Sequence, residues 1–175
     1  NLSLAHKIKK NKKLTMSAGE MTHAKVLEAQ KKWADGIVNI STAFTEKKDY
    51  TEASRQHIAN LYAFDVAPVL FKPTKAAKVQ FRGDKESALS YFAGTNGVCE
   101  EDTGFAINGG NPWTAVRFVN HCVSITGNTA LAMGNYYFTP TEGGVAKVEY
   151  TFGYILDKNG DAVIHLHHSS LPFKG

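Results

Sequence analysis

The stretch WTAVRFVNHCVSITGNTALAMGNYYFT, residues 113–139, decides the fold of this chain. β-Branched and aromatic residues dominate both halves, and the Gly127-Asn128 pair between them is a typical hairpin turn, so the stretch predicts two long paired strands. Two more runs of this kind follow, each after a turn that contains glycine. The C-terminal half therefore predicts a meander of four antiparallel strands, at residues 113–125, 128–139, 147–156 and 163–171.

Helical periodicity governs the N-terminal half. Apolar residues recur at spacings near three and four over residues 22–47, which predicts a long amphipathic helix. Two shorter helices are predicted at 49–64 and 84–94, each with an aspartate at its start as N-cap. Residues 66–71, interrupted by Pro68, predict a short edge strand. Helices followed by a strand meander predict an α+β domain, in which a curved antiparallel sheet wraps around the long N-terminal helix.

The positive charge of the chain is concentrated at its N-terminus. The formal net charge is +4, and five lysines stand together at Lys7, Lys9, Lys10, Lys12 and Lys13. Without them, 15 Lys and Arg face 16 Asp and Glu, so the body of the chain offers no basic surface for nucleic acid. Residues 1–20 are predicted to be a flexible basic tail and residues 21–175 a single domain, which should fold unchanged without the tail.

Membrane insertion and redox chemistry find no support in the sequence. No run of eighteen apolar residues occurs, so no membrane association is expected. Cys99 and Cys122 are far apart and form no CxxC motif, which predicts reduced, structural thiols.

The last predicted strand concentrates the polar groups that suit catalysis. Alternation places Ile164, Leu166, His168 and Ser170 on one face and His165, His167 and Ser169 on the other. The face with Ile164 and Leu166 is expected to meet the helices, so that His168 and Ser170 lie where the core gives way to a pocket. A β-bulge would reverse this assignment.

A metal site is the alternative use of these histidines. His165 and His167 form an H-x-H pair that would direct two imidazoles the same way and bind zinc, or manganese, if a third ligand were near. His121 or His57 would have to supply it, and the sequence places neither there. The favoured interpretation is that His165 and His167 are sheet-face or interface residues and that no cofactor is bound.

Several motifs in order resemble a known family. HLHHSSLP after a meander, with the long first helix, resembles the association domain of calcium/calmodulin-dependent kinase II and the wider SnoaL-like, nuclear-transport-factor-type (cystatin-like) cone folds. The set NLYAF, VLFKPT, ALSYFAG, ALAMGNYYF, VEYTFGYI and HHSS is more discriminating. Over residues 21–173 it is similar to the iota-class carbonic anhydrases of algae and cyanobacteria.

This resemblance implies a function and a site. The function is the reversible hydration of carbon dioxide to bicarbonate, without a metal, in a chloroplast or in the cytoplasm of a cyanobacterium. The catalytic residues that it implies are Thr74, Tyr91, His168 and Ser170, and Tyr62 joins Thr74, Tyr91 and Ser170 in binding the substrate. Hydroxyl donors can bind a singly charged anion, and a neutral imidazole can accept a proton from water.

Two other functions remain open at this level. The first is a non-catalytic association module, and the second is a SnoaL-like isomerase or hydrolase with a carboxylate base and a larger apolar ligand. Tyr91 can also be a core aromatic and Ser170 a strand cap. A homodimer through the outer sheet face is predicted, because Trp113, Tyr136 and Phe152 exceed what one inner face is expected to hold.

Overall fold

The computed structural model describes residues 19–175. The predicted basic tail lies outside the described residues, except for Gly19 and Glu20. Within that range, two short 3₁₀ segments, Ala63–Asp65 and Phe105–Gly110, accompany three helices and five strands. These are α1 (His23–Thr45), α2 (Tyr50–Leu61), β1 (Leu70–Lys72), α3 (Lys85–Ala93), β2 (Trp113–Thr126), β3 (Thr129–Pro140), β4 (Ala146–Leu156) and β5 (Ala162–Ser170).

The helices begin at side chains that satisfy their first free N–H groups. Asp49 and Asp84, the predicted caps, accept hydrogen bonds from backbone N–H groups three residues later, over 2.9 Å and 2.8 Å. Thr22 does the same for α1. Gly94, with φ of +71°, ends α3 in the left-handed conformation that glycine adopts without strain. The three predicted helices are therefore confirmed, with ends shifted by a few residues.

The strands form one sheet in the order β1-β5-β4-β3-β2. The predicted four-stranded antiparallel meander is confirmed. The edge strand is shorter than predicted, because Val66 and Ala67 donate to the Ala63 carbonyl and close a turn there. It also pairs in parallel with β5, with Phe71 opposite His167, so the sheet is not wholly antiparallel.

Aromatic side chains fill the space between the sheet and the helices. Trp33 of α1 lies at the centre, and its ring contacts those of Phe118, Phe152 and His167. The prediction that Trp113, Tyr136 and Phe152 belong to an outer, dimer-forming face is wrong, because each is at most 5% exposed and points inward. A sheet that curves around a helix encloses more inner surface than a flat one, so all of these rings fit inside.

A bulge in β5 overturns the predicted faces of its last residues. Tyr154 pairs with Ile164, but Gly153 pairs with Leu166, which leaves His165 as an extra residue. Alternation resumes after the bulge with its parity reversed. His167 and Ser169, each 2% exposed, point into the core. His168 and Ser170 were expected there but lie on the outer face.

Two smaller expectations concern thiols and membranes. Cys99 is buried, as a structural thiol is, whereas Cys122 is exposed, and both are free. Within residues 19–175, no helix has the length and apolar character needed to cross a membrane.

Candidate active site

One tyrosine hydroxyl links the Trp33 indole to the His167 imidazole. Trp33 donates its Nε1–H to Tyr62 Oη over 3.0 Å, and the same oxygen lies 2.8 Å from His167 Nδ1. Tyr62 directly follows α2 and forms a parallel bridge with Ile164 of β5, which brings its side chain against that strand. All three rings are buried. Shielded from water, these hydrogen bonds hold the imidazole in one orientation.

The same contacts assign the hydrogen on the His167 ring. An indole N–H can only donate, so the Tyr62 oxygen accepts from Trp33 and the Tyr62 hydroxyl hydrogen needs an acceptor of its own. His167 Nδ1 is the acceptor within reach, so the ring hydrogen lies on Nε2. That nitrogen is 3.4 Å from Tyr136 Oη. A line of hydrogen-bonding groups therefore runs from Trp33 through Tyr62 and His167 to Tyr136.

Two aliphatic hydroxyls meet beside Tyr136. Thr74 Oγ1, in the loop after β1, donates to Ser169 Oγ of β5 over 2.9 Å. Both groups are near enough to the Tyr136 hydroxyl to lower its pKa, and the Thr74 hydroxyl acts in the same way on Tyr91. Tyr91 belongs to α3, where its ring stacks on that of Phe105 with centroids 5.3 Å apart. Four separate parts of the fold, namely the loop after β1, α3, β3 and β5, thus direct hydroxyls to one place.

These groups form what we call the hydroxyl–imidazole cluster. It combines one imidazole with five hydroxyl groups, which come from the end of α2, the loop between β1 and α3, α3 itself, β3 and β5. No member carries a carboxylate, so the base that an isomerase of this fold would need is not among them. The cluster consists of Tyr62, Thr74, Tyr91, Tyr136, His167 and Ser169.

Burial keeps the cluster uncharged at neutral pH. It lowers the pKa of His167 well below its usual 6.5, and the neighbouring imidazoles of His57 and His168 lower it further. Burial likewise raises the pKa values of Tyr62, Tyr91 and Tyr136 above that of a free phenol. The imidazole is therefore a neutral group with one donor and one acceptor nitrogen, and the phenols are donors.

A carboxylate from a distant loop holds the segment that carries Thr74. Glu101 accepts hydrogen bonds from the backbone N–H groups of Ala77, Lys78 and Val79 over 2.8–3.0 Å. The N–H groups of Lys78 and Ala77 lower the pKa of Glu101 most. The carboxylate thus stays ionised at neutral pH and fixes the course of the chain shortly after Thr74.

A buried ion pair between Arg82 and Asp102 also holds the segment that carries Thr74. Arg82 is fully buried, donates its Nη2 hydrogen to Asp102 Oδ1 over 2.9 Å and donates its backbone N–H to the Phe71 carbonyl. Burial raises the pKa of Asp102, and the nearby Ser90 hydroxyl and the charge of Arg82 oppose that rise. The loop of Thr74 is therefore tied to β1 and to the segment that follows α3.

The structure brings together only part of the predicted site. Thr74, Tyr91 and Tyr62 belong to the cluster. His168 and Ser170 do not, because the β5 bulge turns them outward, where Ser170 Oγ donates to Glu149 Oε2 over 3.3 Å.

Sequence reasoning missed three members of the cluster, namely Tyr136, His167 and Ser169. One signal of the bulge was present in the sequence, because a glycine inside a strand often marks such an irregularity. Gly153 lies beside the bulge and pairs with Leu166, where an added Cβ would be 3.0 Å from His165 Nε2 and closer still to Leu166 Cβ.

The bulge in β5 rules out the zinc site that the H-x-H pair suggested. His165 lies beside Gly153 on the outer side, whereas His167 points into the core, so the two imidazoles do not converge. His57 is buried between α1 and α3 against Trp33 and Phe92, and His121 lies on the outer face. Across residues 19–175, no three His, Cys, Asp or Glu side chains are grouped so that they could hold a metal ion.

Comparison with solved structures confirms the cone fold. The crystal structure of an iota-carbonic anhydrase from a cyanobacterium, complexed with bicarbonate, superposes with a TM-score of 0.84 at 36% identity, over 89% of this chain and 95% of that one. A Xanthomonas campestris structure assigned to the calcium/calmodulin-dependent kinase II association domains gives a TM-score of 0.53 at 20% identity, over 86% and 88%. The second likeness shows the shared fold alone.

Sequence comparison identifies the family. A metal-independent carbonic anhydrase of Nostoc sp. is 39% identical over 157 residues, which are 88% of this chain and 75% of that protein. The family model described as metal-independent carbonic anhydrase matches residues 24–171. The chain therefore belongs to the metal-independent carbonic anhydrases, the iota class that its motifs resemble.

Proposed function

We propose that the chain carries out the carbonic anhydrase reaction of its family at the hydroxyl–imidazole cluster, with no metal. The observation that carries this proposal is the position of His167, buried and contacted on both ring nitrogens by tyrosine hydroxyls. The bicarbonate complex of the cyanobacterial relative, whose fold this chain shares, supports the same substrate here. The reaction combines carbon dioxide and water into bicarbonate and a proton.

Thr74, Tyr91 and Ser169 bind and polarise the substrate. As the water oxygen forms its bond to carbon, one carbon–oxygen double bond opens and negative charge collects on that oxygen. Ser169 and Tyr91 stabilise this charge as neutral hydroxyl donors, and Thr74 orients Ser169 by donating to its oxygen, so that together they take the role that zinc has in other carbonic anhydrases. The same donors bind bicarbonate, because an anion with a single charge can be held by several hydrogen bonds.

His167 and its two tyrosines remove the proton. The attacking water must lose one proton, and an imidazole can accept it at one nitrogen and release one from the other. Since burial lowers the pKa of His167, the ring does not keep a positive charge. The water proton passes to the Tyr62 oxygen as Tyr62 gives its own hydroxyl hydrogen to His167 Nδ1. At the same time Nε2 gives its hydrogen to Tyr136, whose hydroxyl hydrogen moves on towards Ser169 and solvent.

The experiment for this function combines chelation with substitution in the cluster. After exhaustive dialysis against a chelator, the wild-type protein should hydrate carbon dioxide at its undiminished rate. Thr74→Val and Tyr91→Phe keep the shape of each side chain but remove its hydroxyl, and each should lower kcat on the order of tenfold or more, as lost transition-state donors do. Activity lost on chelation and restored by zinc, or full activity in both variants, would contradict the proposal.

We also propose that two copies associate through the outer face of the sheet. Trp113, Tyr136 and Phe152 no longer support this, but Val119, Leu131 and Met133 do, being 41–54% exposed on the outer side of β2 and β3. A second copy would cover them. Light scattering at micromolar concentration should give twice the chain mass for the wild type and the monomer mass for Leu131→Glu. A wild type that is monomeric at all concentrations would refute the dimer.

The cyanobacterial relatives also support a proposal for the cell compartment. We propose that the protein acts in a chloroplast, or in the cytoplasm if the source is a cyanobacterium, since the sequence relative is from Nostoc and the structural one from a cyanobacterium. Imaging of a fluorescent fusion of the full-length protein in its source cell should show this compartment, and secretion would contradict it.

A further inference from the structure

A cavity of about 310 Å³ adjoins the hydroxyl–imidazole cluster. Thr74 belongs to both, so the cavity leads to the Thr74 side of the cluster. Its walls include the rings of Trp113 and Phe138 and the side chains of Lys75 and Asn108. Lys75 is the single cation among the described residues of the lining, and Glu142 is the single acid. Lys75 therefore supplies the positive charge of this cavity, beside a cluster whose members are all neutral.

Lys75 is held at the wall of the cavity by a specific contact. Its Nζ donates to Asn108 Oδ1 over 3.2 Å, and Asn108 Nδ2 donates to the Asn111 carbonyl over 2.9 Å. Asn108 has a φ of +46°, in the left-handed region, which aims its side chain across the loop. Among the residues that the structure describes, no carboxylate forms an ion pair with Lys75. The ammonium group of Lys75 is therefore free to bind an anion from solvent.

The backbone of Lys75 lies close to one member of the cluster, Tyr91. Burial raises the pKa of the Tyr91 phenol, and the nearby backbone N–H of Lys75 opposes that rise. Thr74 and Lys75 are adjacent, so one short segment carries a hydroxyl donor for the cluster and a cation for the cavity beside it. An anion that reaches the cluster through this cavity passes this cation.

We propose that Lys75 is a substrate-binding residue that attracts and holds bicarbonate at the cavity. The proposal rests on the function assigned above to the cluster. Bicarbonate carries one negative charge and carbon dioxide none, so the ammonium group distinguishes the two substrates of the reversible reaction. The hydroxyls of the cluster bind the anion by hydrogen bonds, and Lys75 adds the electrostatic attraction that they lack.

The test is Lys75→Met, which keeps the length of the side chain and removes its charge. In the dehydration direction, the KM for bicarbonate should rise about two- to fivefold with kcat unchanged, since an exposed charge pair contributes this much. The two directions share one equilibrium constant, so kcat/KM for hydration must fall by the same factor. This loss should appear in kcat, because carbon dioxide offers Lys75 no charge.

Two controls separate this role from a general effect of charge. Lys75→Arg should retain the wild-type KM. Lys78→Met removes an equal charge from an exposed residue on the same loop that does not line the cavity, and it should also leave KM unchanged. Added inert salt should raise the wild-type KM towards that of Lys75→Met and should leave Lys75→Met itself unaffected, because salt screens exposed charges.

The proposal is overturned if Lys75→Met has the wild-type KM, or if Lys78→Met raises KM equally. Failure of the underlying function gives a different result, in which Thr74→Val and His167→Gln hydrate carbon dioxide at the wild-type rate whatever Lys75→Met does. Thermal melting of each variant checks that it is folded.

Discussion

Thr74 donates its hydroxyl hydrogen to Ser169 over 2.9 Å, across 95 residues of sequence. This bond joins the loop after β1 to the end of β5, and it is possible only because the β5 bulge turns Ser169 inward. One irregularity in a strand thus decides which of two adjacent serines belongs to the site.

Ser169→Ala and Ser170→Ala form a matched pair for this conclusion. Ser169→Ala should lower kcat for hydration about tenfold, because a buried donor near the substrate is lost and Thr74 loses its partner. Ser170→Ala removes the same atom on the outer face and should remain within about twofold of the wild type. Stopped-flow assays of both proteins check the pair, and equal losses would count against the inward position of Ser169.

Tyr62→Phe tests the hydrogen bonds behind His167. The substitution leaves Trp33 Nε1–H and His167 Nδ1 without their partner, so we expect a lower kcat and a free energy of unfolding reduced by about 1–3 kcal/mol. Tyr137→Phe makes the same chemical change on the outer side of β3, where the ring lies under Arg117, and should alter neither. If Tyr62→Phe behaved like Tyr137→Phe, the proposed proton path would be wrong.

The pH dependence of hydration should reflect the buried imidazole. Catalysis needs neutral His167, and burial lowers its pKa well below 6.5. The rate should therefore persist as the pH falls through 6.5, where an exposed imidazole would already be half protonated. Oxygen-isotope exchange between carbon dioxide and water measures this at equilibrium. An acid limb centred at or above pH 6.5 would assign the base to another group.

Acid should destabilise the fold through two buried histidines. Burial lowers the pKa of His57 to about 3 and that of His167 well below 6.5. Below pH 6.5 the unfolded chain therefore binds more protons than the native one, and stability falls as the pH drops. At about pH 5, His57 alone should account for ~2 kcal/mol of this loss. Denaturant unfolding at pH 7 and pH 5 should show that His57→Leu removes this share, and an unchanged pH dependence would contradict it.

The sequence determines the strands, the helices and half of the site for clear physical reasons. Periodicity, capping aspartates and glycine turns are local signals, and the helices and the meander follow from them. Tyr91 and Thr74 were found through the motifs ALSYFAG and VLFKPT, whose resemblance to the family needs no knowledge of side-chain direction.

The remaining half of the site depends on non-local geometry. The direction of each residue in HHSS depends on whether the strand is regular, and the bulge arises from pairing with β4, where Gly153 gives room for His165. The inward place of Tyr136 depends on sheet curvature, which composition does not reveal. These errors share one cause, because strand alternation gives two faces but does not say which face becomes the interior.

The most direct test of the account compares adjacent histidines in chelator-treated protein. The rate of carbon dioxide hydration should fall on the order of a hundredfold in His167→Gln, as expected for lost general-base catalysis. In His168→Gln, which alters the exposed outer face, the rate should stay close to that of the wild type. A silent His167→Gln with an inactive His168→Gln would contradict the account and return the active site to the outer side of β5.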